Sequence, residues 1–389
     1  MNGALEGIRV LDLTQVLAGP FCTMLLADHG ADVIKIEAPQ GDLTRSIGPF
    51  LADDTARRYS GYYQSVNRNK RGMVLDLKSE RDRARFLAMV ERVDVVAENF
   101  RVGVMDRLGL GYETLRARNP RLVYAAIRGF GDPRTGASPY AEWPAFDIVA
   151  QAMGGFLGIT GPGVPMKAGP GIGDIVPGML CAFGILAAVR HAERTGEGQF
   201  LDVAMYDAMI ALCERIVFQH AFTGVVPTPE GNDHPMACPY SVVEAADGWI
   251  AIACPQDAEW RALCAAMERP ELADDPRYAS NAMRLAHAGE VMAIVRGWTG
   301  RLTKAELATR LGGRVPYGPA NDVAEIFADP HVAARGMLAP LDLPGCAPGA
   351  AVANTPIHFA ATPGGVRRRA PTLGEHTAEV LREFGLDAD

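Results

Sequence analysis

Apolar and polar positions along the chain keep two rhythms. Short apolar, largely β-branched runs at Ile8–Leu13 (IRVLDL), Asp32–Glu37 (DVIKIE), Met73–Leu77, Asp94–Glu98 (DVVAE) and Leu122–Ile127 predict buried strands. Between them, helical spacing predicts helices over Phe21–His29 (ended by Gly30), Glu80–Val93 and Tyr112–Arg118. A strand at Phe200–Met205 and an apolar helix reaching Phe218 continue the series. Such alternation predicts an α/β unit built on a parallel sheet with right-handed crossovers. The turn after the first strand reads TQVLAGP and lacks GxGxxG, which counts against a plain NAD or FAD enzyme.

The rhythm changes near Phe222. Val225–Tyr240 is rich in Pro and Gly and has no period, so it reads as a linker or active-site loop. Ser241–Ala253 predicts a hairpin around Ala246-Asp-Gly248, and helices are expected at Asp257–Met267, Ala286–Trp298 and Lys304–Leu311. The predicted organisation is a first large-domain segment over residues 1–222 and a smaller α+β domain over 223–314. A return segment over 315–389 completes the large domain, entering through the turn at Val315–Asn321.

Composition narrows the class. The 389 residues are 48% apolar and 22% charged, the profile of a soluble globular enzyme. A net charge of −8 offers no general attraction to nucleic acid or anionic membrane, and no run approaches 18 apolar residues. Seven cysteines without a CxxC pair argue for reduced core thiols and a cytoplasmic protein. Eight histidines form no ligand array, so no metal site is expected.

Candidate chemistry centres on Gly161–Gly178, a Gly- and Pro-dense loop predicted to deliver Asp174 to the mouth of an apolar helix over Met179–Arg194. A carboxylate there is either an N-cap acid or a covalent nucleophile. Asp147, in PAFDIVAQAMGG, is a second acid; near the first, it would push one of the two pKa values up. Arg68, Lys70 and Arg71 form a basic turn that is either solvated surface or a seat for phosphates.

Taken together, GIRVLDLTQVLAGP, VIKIE, NRNKRG with LDLK, AENF, DIVAQAMGG, the Gly173-Asp174 pair with GILAAVRHAERTGEGQ, VAMYDA, VPYGPAND and APTLGEHT resemble the class III coenzyme A transferases (CaiB/BaiF type) from end to end. The resemblance implies a Rossmann-like large domain made from both chain ends, a small inserted domain, and a homodimer of interlocked rings. It places the catalytic aspartate on Asp174 with Asp147 as a second acid. Coenzyme A would draw on Gln15, Leu17, Ala18, Leu75, Lys78, Asn99, Phe100, Arg101, Arg107 and Phe146. The implied ligands are an acyl-CoA and a carboxylic acid, with CoA as substrate and no tightly bound cofactor. Leu17 and Ala38 stand where formyl-CoA enzymes carry Gln and Arg, and Gly231-Asn-Asp-His-Pro235 replaces their tetraglycine lid, so oxalate is disfavoured as acceptor. A small dicarboxylate such as succinate, mesaconate, malate or citramalate is expected instead. Related α-methylacyl-CoA racemases use a histidine where this chain has Phe146, and phenylalanine cannot move a proton. A racemase and a non-catalytic CoA-binding protein are the competing readings.

Overall fold

The computed structural model describes residues 3–387, which divide into two compact units. The larger holds the chain up to Phe156, Ala168–Gly224 and everything from Pro330 on; the smaller holds Leu157–Lys167 and Val225–Asp329.

In the larger unit six strands, β1 (Arg9–Asp12), β2 (Asp32–Glu37), β3 (Arg71–Val74), β4 (Val95–Glu98), β5 (Val123–Arg128) and β6 (Phe200–Ala204), form one parallel sheet. Their order is β3-β2-β1-β4-β5-β6, that of doubly wound nucleotide-binding folds. Alternate residues of β1, β2, β4 and β5 supply two cores, because side chains leave a strand on opposite faces. Val10, Val33, Val95 and Val123 pack under helix Ala18–Asp28 and the long helix Ile172–Thr195. Leu11, Ile34, Val96 and Tyr124 face helix Glu80–Val90, and the C-terminal helix Thr377–Glu383 closes that side through Val380 and Leu381. A short antiparallel pair, Leu338–Pro340 with Ala351–Ala353, lies in the return segment.

The long helix departs from expectation in two ways. It begins at Ile172 rather than Met179, so Asp174 lies in its first turn and Pro177 inside it. It is also long and apolar enough to cross a membrane by composition, contrary to the sequence reading. Here it runs through the core against the sheet, burying Cys181, Ala182, Ile185, Ala188 and Val189. Gly178 permits this: a Cβ there would come within 2.6 Å of the Ala18 carbonyl oxygen, so only glycine lets the two helices cross.

The smaller unit is an antiparallel sheet of β7 (Tyr240–Ala245), β8 (Gly248–Ala253) and β9 (Tyr317–Pro319), covered by helices Asp257–Ala266, Ala288–Thr299 and Lys304–Leu311. Trp260, Leu263, Val291, Val295 and Leu307 fill its core. The expected boundary at 315 therefore falls inside this unit. Tyr317 pairs with Ile252 and Pro319 with Ile250, so the chain completes the small sheet before it leaves near Pro330. The turn chemistry of VPYGPAN masked a short edge strand.

The basic turn is neither solvated nor a phosphate seat. Lys70 is fully buried against Asp12, Arg68 is paired with Asp28, and Arg71 with Asp32, Glu379 and Glu383. These cations fasten the turn and β3 to the first helix, β1, β2 and the C-terminal helix.

Candidate active site

In open α/β sheets ligands bind beyond the carboxyl ends of the strands where the order reverses. Here the reversal lies between β1 and β4, and a cavity of about 320 Å³ sits there. Its walls are the turn Gln15–Ala18 after β1, Asn99–Val102 after β4, Arg128 and Gly129 at the end of β5, and the segment Trp143–Phe146. Asp174 and Met205 close it.

Both strand-end loops are held from behind. The Val16 N–H donates to Asp42 Oδ2 (3.2 Å), and the Lys35 ammonium donates to the Thr14 carbonyl. Glu98 accepts from the Phe100 N–H (2.7 Å), while Arg128, paired with Glu98, donates to the Phe100 carbonyl (2.6 Å). Asn99 ties one loop to the other, accepting from the Gln15 N–H (2.7 Å) and donating to its carbonyl (2.8 Å).

Asp147 and Asp174 divide the roles an acid can play at a helix start. Asp147 opens helix Asp147–Met153, and its Oδ1 accepts from the Gly173 N–H (2.7 Å), capping the long helix from outside. Gln151, fully buried, donates to both Asp147 oxygens (3.0 and 2.8 Å) and accepts from the Ala168 N–H. The approach requires glycine at 173, where a Cβ would lie 2.5 Å from the Asp147 carbonyl oxygen. Asp174, one residue on, caps nothing, and its carboxylate has no hydrogen-bond partner among the described residues. Burial, and then the charge of Asp147, push its pKa up to about 7. The N-cap role considered for Asp174 thus belongs to Asp147.

Of the residues expected at the site, Gln15, Leu17, Ala18, Asn99, Phe100, Arg101, Phe146 and Asp174 line the one cavity, with Asp147 directly behind. Leu75 is buried in the core on the far face of the sheet, and Lys78 and Arg107 are exposed outside the lining. Three residues escaped the sequence reading. Arg128 lies just past the predicted strand Leu122–Ile127, and Trp143 falls in no predicted element; both line the cavity. The third is Tyr62: burial, then Asp174, Asp42 and Asp147, raise its phenol to about 12. No histidine lines the cavity, and no cluster of metal-ligating side chains occurs among the described residues.

A doubly wound sheet with a half-buried, unpaired acid at its switch-point cavity defines an α/β enzyme for a small ligand. The chain matches CoA-transferase family III over residues 5–377 and belongs to that family. It is 52% identical to the succinyl-CoA:mesaconate CoA-transferase of Haloarcula marismortui, over 99% of this chain and 97% of that one. The succinate–glutarate CoA-transferase of Agrobacterium fabrum is 42% identical over 98% and 95% of the two chains. A CAIB/BAIF family protein from Brucella suis, 36% identical, superimposes with a TM-score of 0.87 over 99% of this chain and 100% of its own.

Proposed function

We propose that this CoA-transferase moves CoA from succinyl-CoA to a small dicarboxylic acid, with mesaconate first among acceptors, and that Asp174 is its nucleophile. The observation that carries the reading is Asp174 itself: an acid on the cavity wall with no hydrogen-bond partner among the described residues and a pKa near 7. An acid that served structure would be capped or paired, as Asp147 is. The similarity to transferases acting on mesaconate and on glutarate supports the substrate class.

The ionised Asp174 attacks the thioester carbonyl and expels CoA thiolate, giving a mixed anhydride. The thiolate attacks the aspartyl carbonyl of that anhydride, releasing the donor acid and leaving an aspartyl-CoA thioester. The acceptor carboxylate attacks this thioester, and the thiolate then takes the new acyl group and frees Asp174. No proton is transferred at carbon, so the reaction needs no histidine. The chain's task is to seat CoA at the β1 and β4 loops and to keep water from the anhydride. Lys78 and Arg107, outside the cavity, suit the phosphates of a ligand as long as CoA. Exposed Met179, Leu180 and Phe183 on the long helix and Phe218 and Phe222 beyond it support a second copy of the chain, as the interlocked dimer requires.

Intact-mass analysis after succinyl-CoA and hydroxylamine tests the route. A hydroxamate on the wild type, absent from Asp174→Ala, is the expected result. Turnover with mesaconate and no hydroxamate would sink the covalent path. A hydroxamate with other acyl-CoA donors only would move the substrate assignment and keep the chemistry.

A further inference from the structure

The turn that forms one wall of the cavity has a backbone its own sequence disfavours. Val16 has a φ of 67°, and a β-branched residue rarely enters the left-handed region. Such a conformation persists only where its surroundings dictate it. Asn99 holds Gln15 on one side of it, and on the other stands an ion pair with no exposure at all on either side chain, Lys35 with Asp42 (3.2 Å). Asp42 Oδ2 accepts the Val16 N–H, while its Oδ1 accepts the Thr44 N–H (2.9 Å) and hydroxyl (2.8 Å). The acid is therefore fixed from its own segment before it reaches the turn. Lys35 holds the Thr14 carbonyl, two residues before Val16. Neither Lys35 nor Asp42 lines the cavity, whereas Gln15, Val16 and Leu17 all do.

A buried ion pair is a weak device for stability, since packed apolar residues of similar volume serve as well or better. Its presence suits another role, and the bonds from this pair to Val16 and Thr14 supply one. We propose that Lys35 and Asp42 are positioning residues for the acyl-CoA: they set the 14–17 turn in the geometry the ligand requires and touch no ligand themselves. The proposal rests on the reading of this cavity as the CoA site.

The discriminating protein is the double variant Lys35→Met/Asp42→Asn. Methionine fills the lysine's space, asparagine keeps an acceptor for Thr44, and both charged links to the turn are gone. Calorimetric binding of CoA, melting temperature, and separate KM values for acyl-CoA and acceptor are measured, with Asp54→Asn beside it. Asp54 is a buried acid bonded to the Arg58 and Tyr59 N–H groups, away from the cavity. The double variant should melt near the wild type, yet bind CoA about tenfold or more weakly, the size of loss that removing the partners of metal ligands causes at metal sites. Its KM for acyl-CoA should rise likewise, with kcat and the acceptor KM held. Asp54→Asn should lower the melting temperature and leave CoA affinity alone. A folded double variant that binds CoA within about twofold of wild type overturns the proposal, as does an equal loss of affinity in Asp54→Asn. Should the double variant not fold, Asp42→Asn alone is read by the same two criteria. A wild type that binds no CoA overturns the functional assignment, and the positioning role with it.

Discussion

Two groups of buried acids lie within the larger unit, and the fold treats them in opposite ways. Beneath the cavity, burial works to raise Asp12 and Asp42, but Lys70 and Lys35 beside Asp12, and Lys35 with Thr44 beside Asp42, outweigh it and hold both carboxyls low. On the cavity wall burial works the same way on Asp174, and the charge that acts on it beside burial is another acid, Asp147. For these three acids burial acts alike and the neighbouring charge sets the direction, whereas at Glu98 burial prevails over the Arg128 pair and raises the carboxyl to about 7. At Asp174 the shift has no cation working against it, which is the arrangement expected of a functional acid.

The comparison breaks most sharply on activity. Asp174→Asn keeps shape and removes the nucleophile, so turnover should fall by at least about 10³-fold while CoA binding survives. Steady-state assay beside calorimetry checks both halves. Residual turnover near that of wild type would reduce Asp174 to a bystander.

Next in size is the floor. Asp12→Asn leaves the Lys70 ammonium, 2.9 Å from the lost charge and fully buried, without its counterion. Breaking a buried pair from one side costs about 3–5 kcal/mol, and the urea midpoint should fall accordingly. A loss below about 1 kcal/mol would show the pair to be solvated in practice.

Much of this arrangement was legible before any coordinates. Strand Asp32–Glu37 and helices Tyr112–Arg118 and Lys304–Leu311 fall where their patterns put them, because strong local periodicity and packing agree there. Eight of the twelve residues expected at the site line the one cavity. What stayed hidden is what depends on long-range pairing. Nothing local distinguishes a solvated NRNKR from one whose cations reach Asp12, Asp28 and Asp32 across the unit. The early start of the long helix was masked by Pro170, Gly171 and Gly173; an acid 26 residues upstream in Asp147 caps it. The role of Asp42 could not be read at all, since it acts on a turn 26 residues away.

A third test sets the stability of the wall against the floor. The folded pKa of Asp174, about 7, lies above its ordinary 3.8, so folding favours the protonated acid. Below about pH 4 both states are protonated and nothing is lost. As pH rises the unfolded chain ionises first, stability declines toward pH 7, and the deficit is constant above that. Asp174→Asn escapes the deficit and should be more stable than wild type at pH 8, by on the order of 2 kcal/mol after allowance for partial exposure. The gain should vanish toward pH 4. Asp12→Asn moves stability the other way, so the two variants must diverge in sign at pH 8.

The smallest effect dissects the raised pKa itself. Wild-type kcat/KM should climb with pH through about 7, because Asp174 must be ionised to attack. Two causes hold that limb up, burial first and the charge of Asp147 second. Asp147→Asn removes the second and leaves the first, and its amide oxygen still accepts the Gly173 N–H. The acid limb should therefore move down by up to about one pH unit, and not to the position of a free carboxylate. A limb that stays at 7 would mean that burial acts alone and that Asp147 is purely the cap of the long helix. A limb near 4 would mean the reverse, that the two acids repel strongly across a wet site, and the contrast between floor and wall would then rest on one neighbouring charge rather than on burial without a partner.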